Sequence, residues 1–154
     1  MLELIKPNYE QLTFRQSLLA DKKTMSYNAK WGGTINFTQD RWESWYRTWV
    51  SCPDKRFYRY LYSPRDNAFV GEIAYNFDEE YQCYFCSVIV HSHYRHKGFG
   101  KAGLILLLQE AKKAGISIIY DNIAIDNTAV CLFEQCGFIE KWRNESIIML
   151  EKHI

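Results

Sequence analysis

The sequence predicts a mixed α/β (α+β) fold in a single domain that spans residues 1–154. Three observations lead to this prediction. Runs of β-branched and aromatic residues alternate with segments of helical periodicity, predicted helices end at glycines, and no linker rich in proline, glycine or serine divides the chain. A chain of 154 residues is long enough to bury one sizeable core.

The N-terminal part predicts a strand and two helices. Leu2–Lys6 alternates weakly and favours a strand, and Asn8–Leu19 favours a helix because Asn8 and Gln11 have the spacing of a capping box. Residues 21–37 contain two glycines and no clean period, so we expect a loop. Aromatic residues at helical spacing predict a second helix over Thr38–Val50.

The central part predicts a meander and a long helix. Phe57–Tyr62, Ala68–Phe77 and Gln82–Val90 are β-branched and aromatic runs separated by turn-forming residues, which favours three consecutive antiparallel strands. Gly98–Lys113 has helical periodicity, and Gly115 follows as a helix-ending glycine should.

The C-terminal part predicts three strands and a short helix. Ile116–Ile125 is an apolar run, Thr128–Cys136 favours a short helix that Gly137 closes, and Phe138–Leu150 contains two short strands. The predicted order is therefore β-α-α-β-β-β-α-β-α-β-β.

The composition excludes several functional classes. Nineteen basic and eighteen acidic residues leave a formal charge of +1, so no global field favours nucleic acid or an acidic membrane surface. No apolar run is long enough to span a membrane, and the N-terminus does not resemble a secretory leader. An odd number of cysteines, five, predicts free thiols, and we expect a cytoplasmic protein.

The stretch VIVHSHYRHKGFGK, residues 88–101, predicts an anion site, because a buried strand runs through a basic loop into a long helix. The first amides of a helix lack partners, and the helix dipole adds partial positive charge there. Gly98 and Gly100 let a diphosphate approach the backbone, and Arg95, Lys97 and Lys101 add charged donors.

Two nucleotide-binding motifs fit this loop poorly. Ala102 stands where a Walker A loop needs serine or threonine, which argues against a nucleoside triphosphate. Gly98, Gly100 and Gly103 match a dinucleotide fingerprint, and Asp121 stands where a ribose-binding acid belongs. However, seven residues separate the strand from the first glycine, and the chain after the helix is too short for that sheet, so a dinucleotide-binding oxidoreductase is the third hypothesis.

Coenzyme A is the third candidate ligand, and here a family resemblance becomes specific. Arg95, Gly98 and Gly100 match the pattern Arg/Gln-x-x-Gly-x-Gly/Ala of the GNAT superfamily of N-acetyltransferases. Residues 129–138, AVCLFEQCGF, resemble that family's A-x-x-L-Y-x-x-x-G-F block. The resemblance covers residues 69–150 and implies a central, mostly antiparallel sheet flanked by helices, with acetyl-CoA as acyl donor and no metal.

The resemblance also implies which residues bind acetyl-CoA. A splayed strand would bind the pantetheine amides, the loop after it would hold the pyrophosphate, and the second block would add contacts to the cofactor. The implied residues are Val88, Ile89, Val90, Arg95, His96, Lys97, Gly98, Phe99, Gly100, Lys101, Asn127 and Phe133. Asp126 occupies the family's usual asparagine position, so whether Asp126 or Asn127 contacts the cofactor stays open.

The implied reaction is direct attack of a neutral primary amine on the thioester in a ternary complex. Glu72 is the first candidate for the base that deprotonates the amine, and Asp121 or a water relayed by a backbone carbonyl are alternatives. By strict alternation Glu72 shares a face with Val70 and Ala74. Phe133 replaces the family's common tyrosine acid, which leaves a catalytically weak acetyl-CoA-binding module as the second hypothesis.

The acceptor is expected to be a small-molecule amine, or secondarily a peptide or protein amine. Tyr27, Trp31 and Trp45 are candidate substrate-binding residues, since aromatic faces can bind an amine or a cation, although ordinary packing also explains them. The three-histidine pattern at residues 91–96 lacks the acidic ligands of a metal site, so no metal is expected. A homodimer is a weak expectation from the family.

Overall fold

The computed structural model describes all of residues 1–154. Its strands form one seven-stranded sheet in the order β1-β2-β3-β4-β5-β7-β6. The strands are β1 (Glu3–Ile5), β2 (Arg56–Ser63), β3 (Ala68–Asp78), β4 (Cys83–Val90), β5 (Ile118–Ala124), β6 (Ile139–Arg143) and β7 (Ile147–His153). The predicted element order and the mixed α/β class are confirmed.

Four α-helices flank the sheet, joined by short helical turns. They are α1 (Leu12–Ala20), α2 (Trp42–Tyr46), α3 (Phe99–Lys113) and α4 (Val130–Gln135). The α2 helix is only the middle of a longer helical stretch, because 3-10 geometry precedes it at Gln39–Arg41 and π geometry follows it at Arg47–Ser51.

The prediction of a loop over residues 21–37 is wrong in part. Thr24–Trp31 forms a 3-10 helix that ends at Gly32, whose φ of 107° is left-handed. Three residues per turn leave no 3.6-residue periodicity to read, so the pattern in the sequence could not indicate this element.

Elsewhere, the capping residues and glycines that predicted helix ends lie at those ends in the structure. Asn8 and Gln11 form the predicted capping box, each side chain accepting from the other's amide at 3.0 Å. Gly115 and Gly137 follow α3 and α4 with φ of 85° and 91°, left-handed values that only glycine adopts without strain. None of the helices has the length and apolar character needed to cross a membrane.

The two faces of the sheet carry separate cores. Leu61 and Ile73 pack with Leu104 and Leu107 of α3 on one face, which we call the α3 face. Tyr58, Tyr60 and Ala74 pack with α1 and α2 side chains on the other, the α1 face.

A bulge in β3 corrects the expected alternation around Glu72. Gly71 pairs with Leu61 and Phe69 with Tyr62, so Val70 is an extra residue in β3. Val70 therefore belongs to the core of the α3 face, whereas Glu72 lies on the α1 face. The prediction that Glu72 shares a face with Val70 is wrong for this reason.

Candidate active site in the wedge between two strands

The sheet opens between β4 and β5, the only parallel neighbours in it. These strands pair only at Tyr84 with Ile119 and at Phe85 with Tyr120, so the last residues of β4 have no partner on that side. The opening, which we call the wedge, runs from Cys86 to Val90 along β4. The splayed strand that the family resemblance implies is present.

The backbone of β4 presents alternate polar groups to the wedge. The amide of His91 donates to the carbonyl of Val70 on β3 at 2.8 Å, and Ile89 pairs directly with Glu72. Because successive backbone groups in a strand point to opposite sides, the amides of Val88 and Val90 face the wedge, while those of Ile89 face β3. An extended amide-bearing chain could therefore pair with Val88 and Val90.

The loop after β4 ends in a continuous row of unpaired amides. None of the N–H groups of residues 96–101 donates to a backbone carbonyl or to a side chain, and the first helical bond of this region runs from Ala102 to the carbonyl of Gly98. Gly98 has a φ of 83° and caps α3. Such a row at the start of a fifteen-residue helix is suited to bind a diphosphate.

Side chains around this row complete its positive character. Lys101 is exposed and makes no ion pair, and Lys97 lies 4.0 Å from Asp66. Gly100 is packed closely, because a Cβ there would lie 3.2 Å from a methyl group of Leu132 in α4. The loop is therefore closed by protein on its inner side and open to an anion on its outer side.

Arg95 points away from this row. Its Nε donates to the carbonyl of Val90 at 3.3 Å, and its two terminal nitrogens donate to the carbonyls of Lys23 and Thr24 at 3.2 and 2.6 Å. The structure thus brings the guanidinium to the backbone of two separate segments, whereas the sequence motif suggests a place beside the pyrophosphate.

The residues of the second motif lie at the far end of the wedge. Asn127 caps the turn into α4, with its side-chain oxygen accepting from the amide of Ala129 at 2.9 Å. Asp126 is exposed and lies 3.7 Å from Lys30. Phe133 is buried and packs edge-on against Phe138 at 5.0 Å in the core of the α3 face.

Glu72 lies under α1 and is held by two donors. One terminal nitrogen of Arg15 is 2.7 Å from both carboxylate oxygens, and the hydroxyl of Tyr58 also donates to it. The guanidinium carbon lies 4.3 Å from the ring of Trp45 and 5.0 Å from that of Phe37. Both oxygens of Glu72, which is 3% exposed, are therefore engaged by protein groups.

Burial and neighbouring charges oppose each other in this cluster. Burial alone would lower the pKa of Arg15, but the carboxylate of Glu72 and the phenolic oxygen of Tyr58 outweigh it, so the pKa of the guanidinium is raised. Burial, followed by the charge of Glu72, raises the pKa of Tyr58 well above its usual value, which keeps the hydroxyl protonated. The Nε of Arg15 is buried with no hydrogen-bond partner.

Asp121 lies on the opposite face. It pairs with Leu150 and stands between Ile119 and Ile123 along β5, all three of which belong to the core of the α3 face. Burial raises the pKa of Asp121 well above its usual value, and no charged partner offsets this. Burial and the carboxylate of Asp121 together raise the pKa of the Cys86 thiol on β4, so the two side chains lie within electrostatic range.

The three aromatic candidates do not form one wall. Tyr27 is half-buried in the 3-10 helix and packs against the cluster that contains Ile89 of β4. Trp31 at the end of that helix is 55% exposed. Trp45 packs edge-on against Tyr58 at 4.7 Å beside Arg15. Tyr27 and Trp45 therefore both pack against the cluster that contains Ile89, whereas Trp31 does not.

Arg15 was not among the residues indicated by the sequence, although a signal exists. It is three positions after Leu12 and four before Leu19, both fully buried, so it falls on the apolar stripe of α1. A charged residue in such a stripe needs a buried partner of opposite charge, which here is Glu72.

Comparisons with known proteins agree with this arrangement. The family model described as the acetyltransferase (GNAT) family matches residues 21–138. No curated protein sequence gives a significant match.

Solved structures of similar fold are acetyltransferases of low sequence identity. Spermidine N-acetyltransferase from Vibrio cholerae, in complex with CoA and spermine, is 19% identical with a TM-score of 0.79, over 99% of this chain and 95% of that one. PaiA N-acetyltransferase from Thermoplasma acidophilum, in complex with coenzyme A, is 17% identical with a TM-score of 0.73, over 100% and 99%. An N-acetyltransferase from Staphylococcus aureus Mu50 is 17% identical with a TM-score of 0.79, over 99% and 98%.

Proposed function

The chain belongs to the acetyltransferase (GNAT) family, and from that premise we propose that it transfers the acetyl group of acetyl-CoA to a primary amine of a small molecule. Residues 1–154 would act as a single domain. One observation carries the proposal: the wedge between β4 and β5 leads directly to the unpaired amides of residues 96–101. An extended pantetheine arm fits the wedge, and its pyrophosphate fits the row of amides.

The residues of the wedge have distinct roles in this proposal. Val88 and Val90 bind the pantetheine through their backbone, and the amide of Val88 is placed to stabilise the oxyanion of the attacked thioester. Lys97 and Lys101 contribute charge to the pyrophosphate site. Phe133 has no proton to give, so the thiolate of CoA leaves without an acid in α4, which an ordinary thiol pKa near ~8.5 permits.

Two carboxylates compete for the role of base. The oxygens of Glu72 are engaged by Arg15 and Tyr58, which favours a part in holding α1 over the sheet. The raised pKa of Asp121 suits it to accept a proton from an ammonium group, directly or through a water in the wedge. We therefore prefer Asp121, and the expected result is that Asp121→Asn lowers kcat far more than it lowers thermal stability.

Ligand-induced stabilisation tests the cofactor part of the proposal. A ligand that binds only the folded protein at about a hundred times its Kd stabilises it by about 2.7 kcal/mol, or roughly 5–11 °C in Tm for a chain of this size. Acetyl-CoA and free CoA should each give such a shift and NADH should give none. No shift with acetyl-CoA at millimolar concentration would refute the proposal.

A thiol-release assay over a panel of amines tests the acceptor. The panel should contain spermidine and spermine, because a structural neighbour is named for the first and was solved with the second, beside monoamines, amino acids and a lysine peptide. Binding of acetyl-CoA without turnover of any amine would favour the second candidate, an acetyl-CoA-binding module, which the packing of Phe133 in the core supports.

A further inference from the structure

The 3-10 helix Thr24–Trp31 crosses the mouth of the wedge and is tied down on both sides. Its first residues are bound to the loop after β4, and Lys30 near its end lies 3.7 Å from Asp126 in the turn after β5. We call residues 21–31 the strap. Because β4 and β5 are the two walls of the wedge, the strap lies over the place where the proposed thioester would sit.

Arg95 makes one of the links between the strap and the end of β4. Its three nitrogens donate to three backbone carbonyls, those of Lys23 and Thr24 in the strap and that of Val90 at the end of β4. A planar guanidinium can bridge two segments in this way because its donors are held in a fixed fork. Lysine, with one nitrogen, can reach only part of this set.

A second link runs through Thr24, which is fully buried. Its hydroxyl donates to Asp21 at 2.5 Å and accepts from the amide of Ser92 at 2.9 Å. The hydroxyl of Ser92 also donates to Asp21, at 2.9 Å. The strap and the loop after β4 are therefore one hydrogen-bonded unit, although the bonded residues are 68 to 72 positions apart along the chain.

The strap presents Tyr27 to the wedge. Tyr27 lies between the two anchored ends and packs against the apolar cluster to which Ile89 of β4 belongs, and its hydroxyl makes no hydrogen bond to the protein. Burial, followed by the charges of Glu72 and Asp121, raises the pKa of Tyr27 to about 12. Ile89 pairs with Glu72 in the sheet, so the cluster against which Tyr27 packs lies on the α1 face beside the end of β4.

From these contacts we infer that Arg95 is a positioning residue for the acceptor site, which fixes the strap and Tyr27 over β4 and contributes little to the affinity for acetyl-CoA. The affinity for the cofactor comes instead from the amides of residues 96–101 and from Lys101. The part of this inference that concerns the acceptor rests on the proposed acetyltransferase function, whereas the order of the strap does not.

Arg95→Gln and Lys101→Gln form a matched pair, because each removes one positive charge from the same loop. Loss of charged hydrogen bonds to the strap should lower kcat/KM for the amine about 10- to 100-fold in Arg95→Gln, with the Kd for acetyl-CoA changed less than about threefold. Lys101→Gln should show the opposite pattern, a weaker Kd for acetyl-CoA and an unchanged KM for the amine at saturating cofactor. Arg95→Lys should recover part of the lost activity.

The order of the strap gives a measurement that needs no turnover. Hydrogen exchange of residues 21–31 should be faster in Arg95→Gln than in the unmodified protein or in Lys101→Gln. Trypsin should also cut more rapidly after Lys22, Lys23 and Lys30, which lie within the strap. If Arg95→Gln does not fold, Thr24→Val removes the Thr24 bonds to Asp21 and Ser92 without altering the charge of the loop, and it should also give faster exchange.

Two results would overturn the inference. One is an acetyl-CoA Kd weakened in Arg95→Gln as much as in Lys101→Gln with unchanged exchange of the strap, because Arg95 would then bind the pyrophosphate. The other is unchanged exchange in both Arg95→Gln and Thr24→Val. If no amine is acetylated by the unmodified protein, the proposed function fails, and the exchange and proteolysis results still decide whether Arg95 holds the strap.

Discussion

Removal of Arg15 tests whether the Glu72 cluster holds α1 against the sheet. The side chains of Arg15 and Glu72 are 15% and 4% exposed, and Arg15→Met keeps much of the contact with Trp45 while it removes the charge. A buried carboxylate left without its partner costs about 3–5 kcal/mol, a large part of a typical stability of about 5–15 kcal/mol. For a chain of this size the expected fall in Tm is roughly 6–20 °C.

Urea denaturation followed by tryptophan fluorescence is the suitable assay, since Trp45 lies 4.3 Å from the guanidinium and reports on this region directly. Arg47→Met is the matched control, because Arg47 pairs with Glu43 at the surface, with both side chains more than half exposed. That exposed pair should be worth less than about 1 kcal/mol. A loss in Arg15→Met no larger than in Arg47→Met would refute the reasoning.

Two further predictions concern the strands and the strap. Gly71→Ala should lower the free energy of unfolding by about 2–4 kcal/mol and weaken acetyl-CoA binding, because the added Cβ would lie 2.2 Å from the carbonyl oxygen of Ile89 and push β4 outward. Measurements of Tm and of the Kd for acetyl-CoA test this. Hydrogen bonds from Thr24 and then Ser92 lower the pKa of Asp21 to about 2, so they stabilise the protein above pH 4 and this stability is lost as the pH falls toward 2. Asp21→Asn should therefore be less stable by about 1 kcal/mol at pH 7, a value reduced for exposure, and the difference in Tm should vanish near pH 2.

Local patterns in the sequence predicted those elements whose stability is local. The capping box at Asn8, the glycines after α3 and α4, and the three strands of the meander all depend on neighbouring residues, and each is confirmed. The free amides of residues 96–101 were also predictable, because a glycine-containing loop before a helix leaves amides without partners whatever the remainder of the fold.

Long-range partners determine the features that the sequence did not reveal. The strap is held in its conformation by Arg95 and Ser92, which lie 68 to 72 positions further along the chain. Residues 21–31 alone therefore show no regular pattern. The bulge at Val70 reverses the face of one residue, and a period of two cannot reveal an insertion of one. Arg15 and Glu72 are 57 positions apart along the chain, so no local pattern could indicate their ion pair.

Glu72 and Asp121 illustrate that a carboxylate in a strand can have either a structural role or, as proposed for Asp121, a catalytic one. Glu72 lies within the apolar middle of β3, and Asp121 is the one carboxylate of β5. Each must either find a partner or lose its charge, because a charge withdrawn from water is costly. Glu72 has the guanidinium of Arg15, so folding alone accounts for it. Asp121 has no such partner and keeps a raised pKa beside the wedge, a cost that stability does not explain. A catalytic role accounts for a titratable group with a raised pKa next to a binding cleft, and Asp121→Asn tests that role by removing the base.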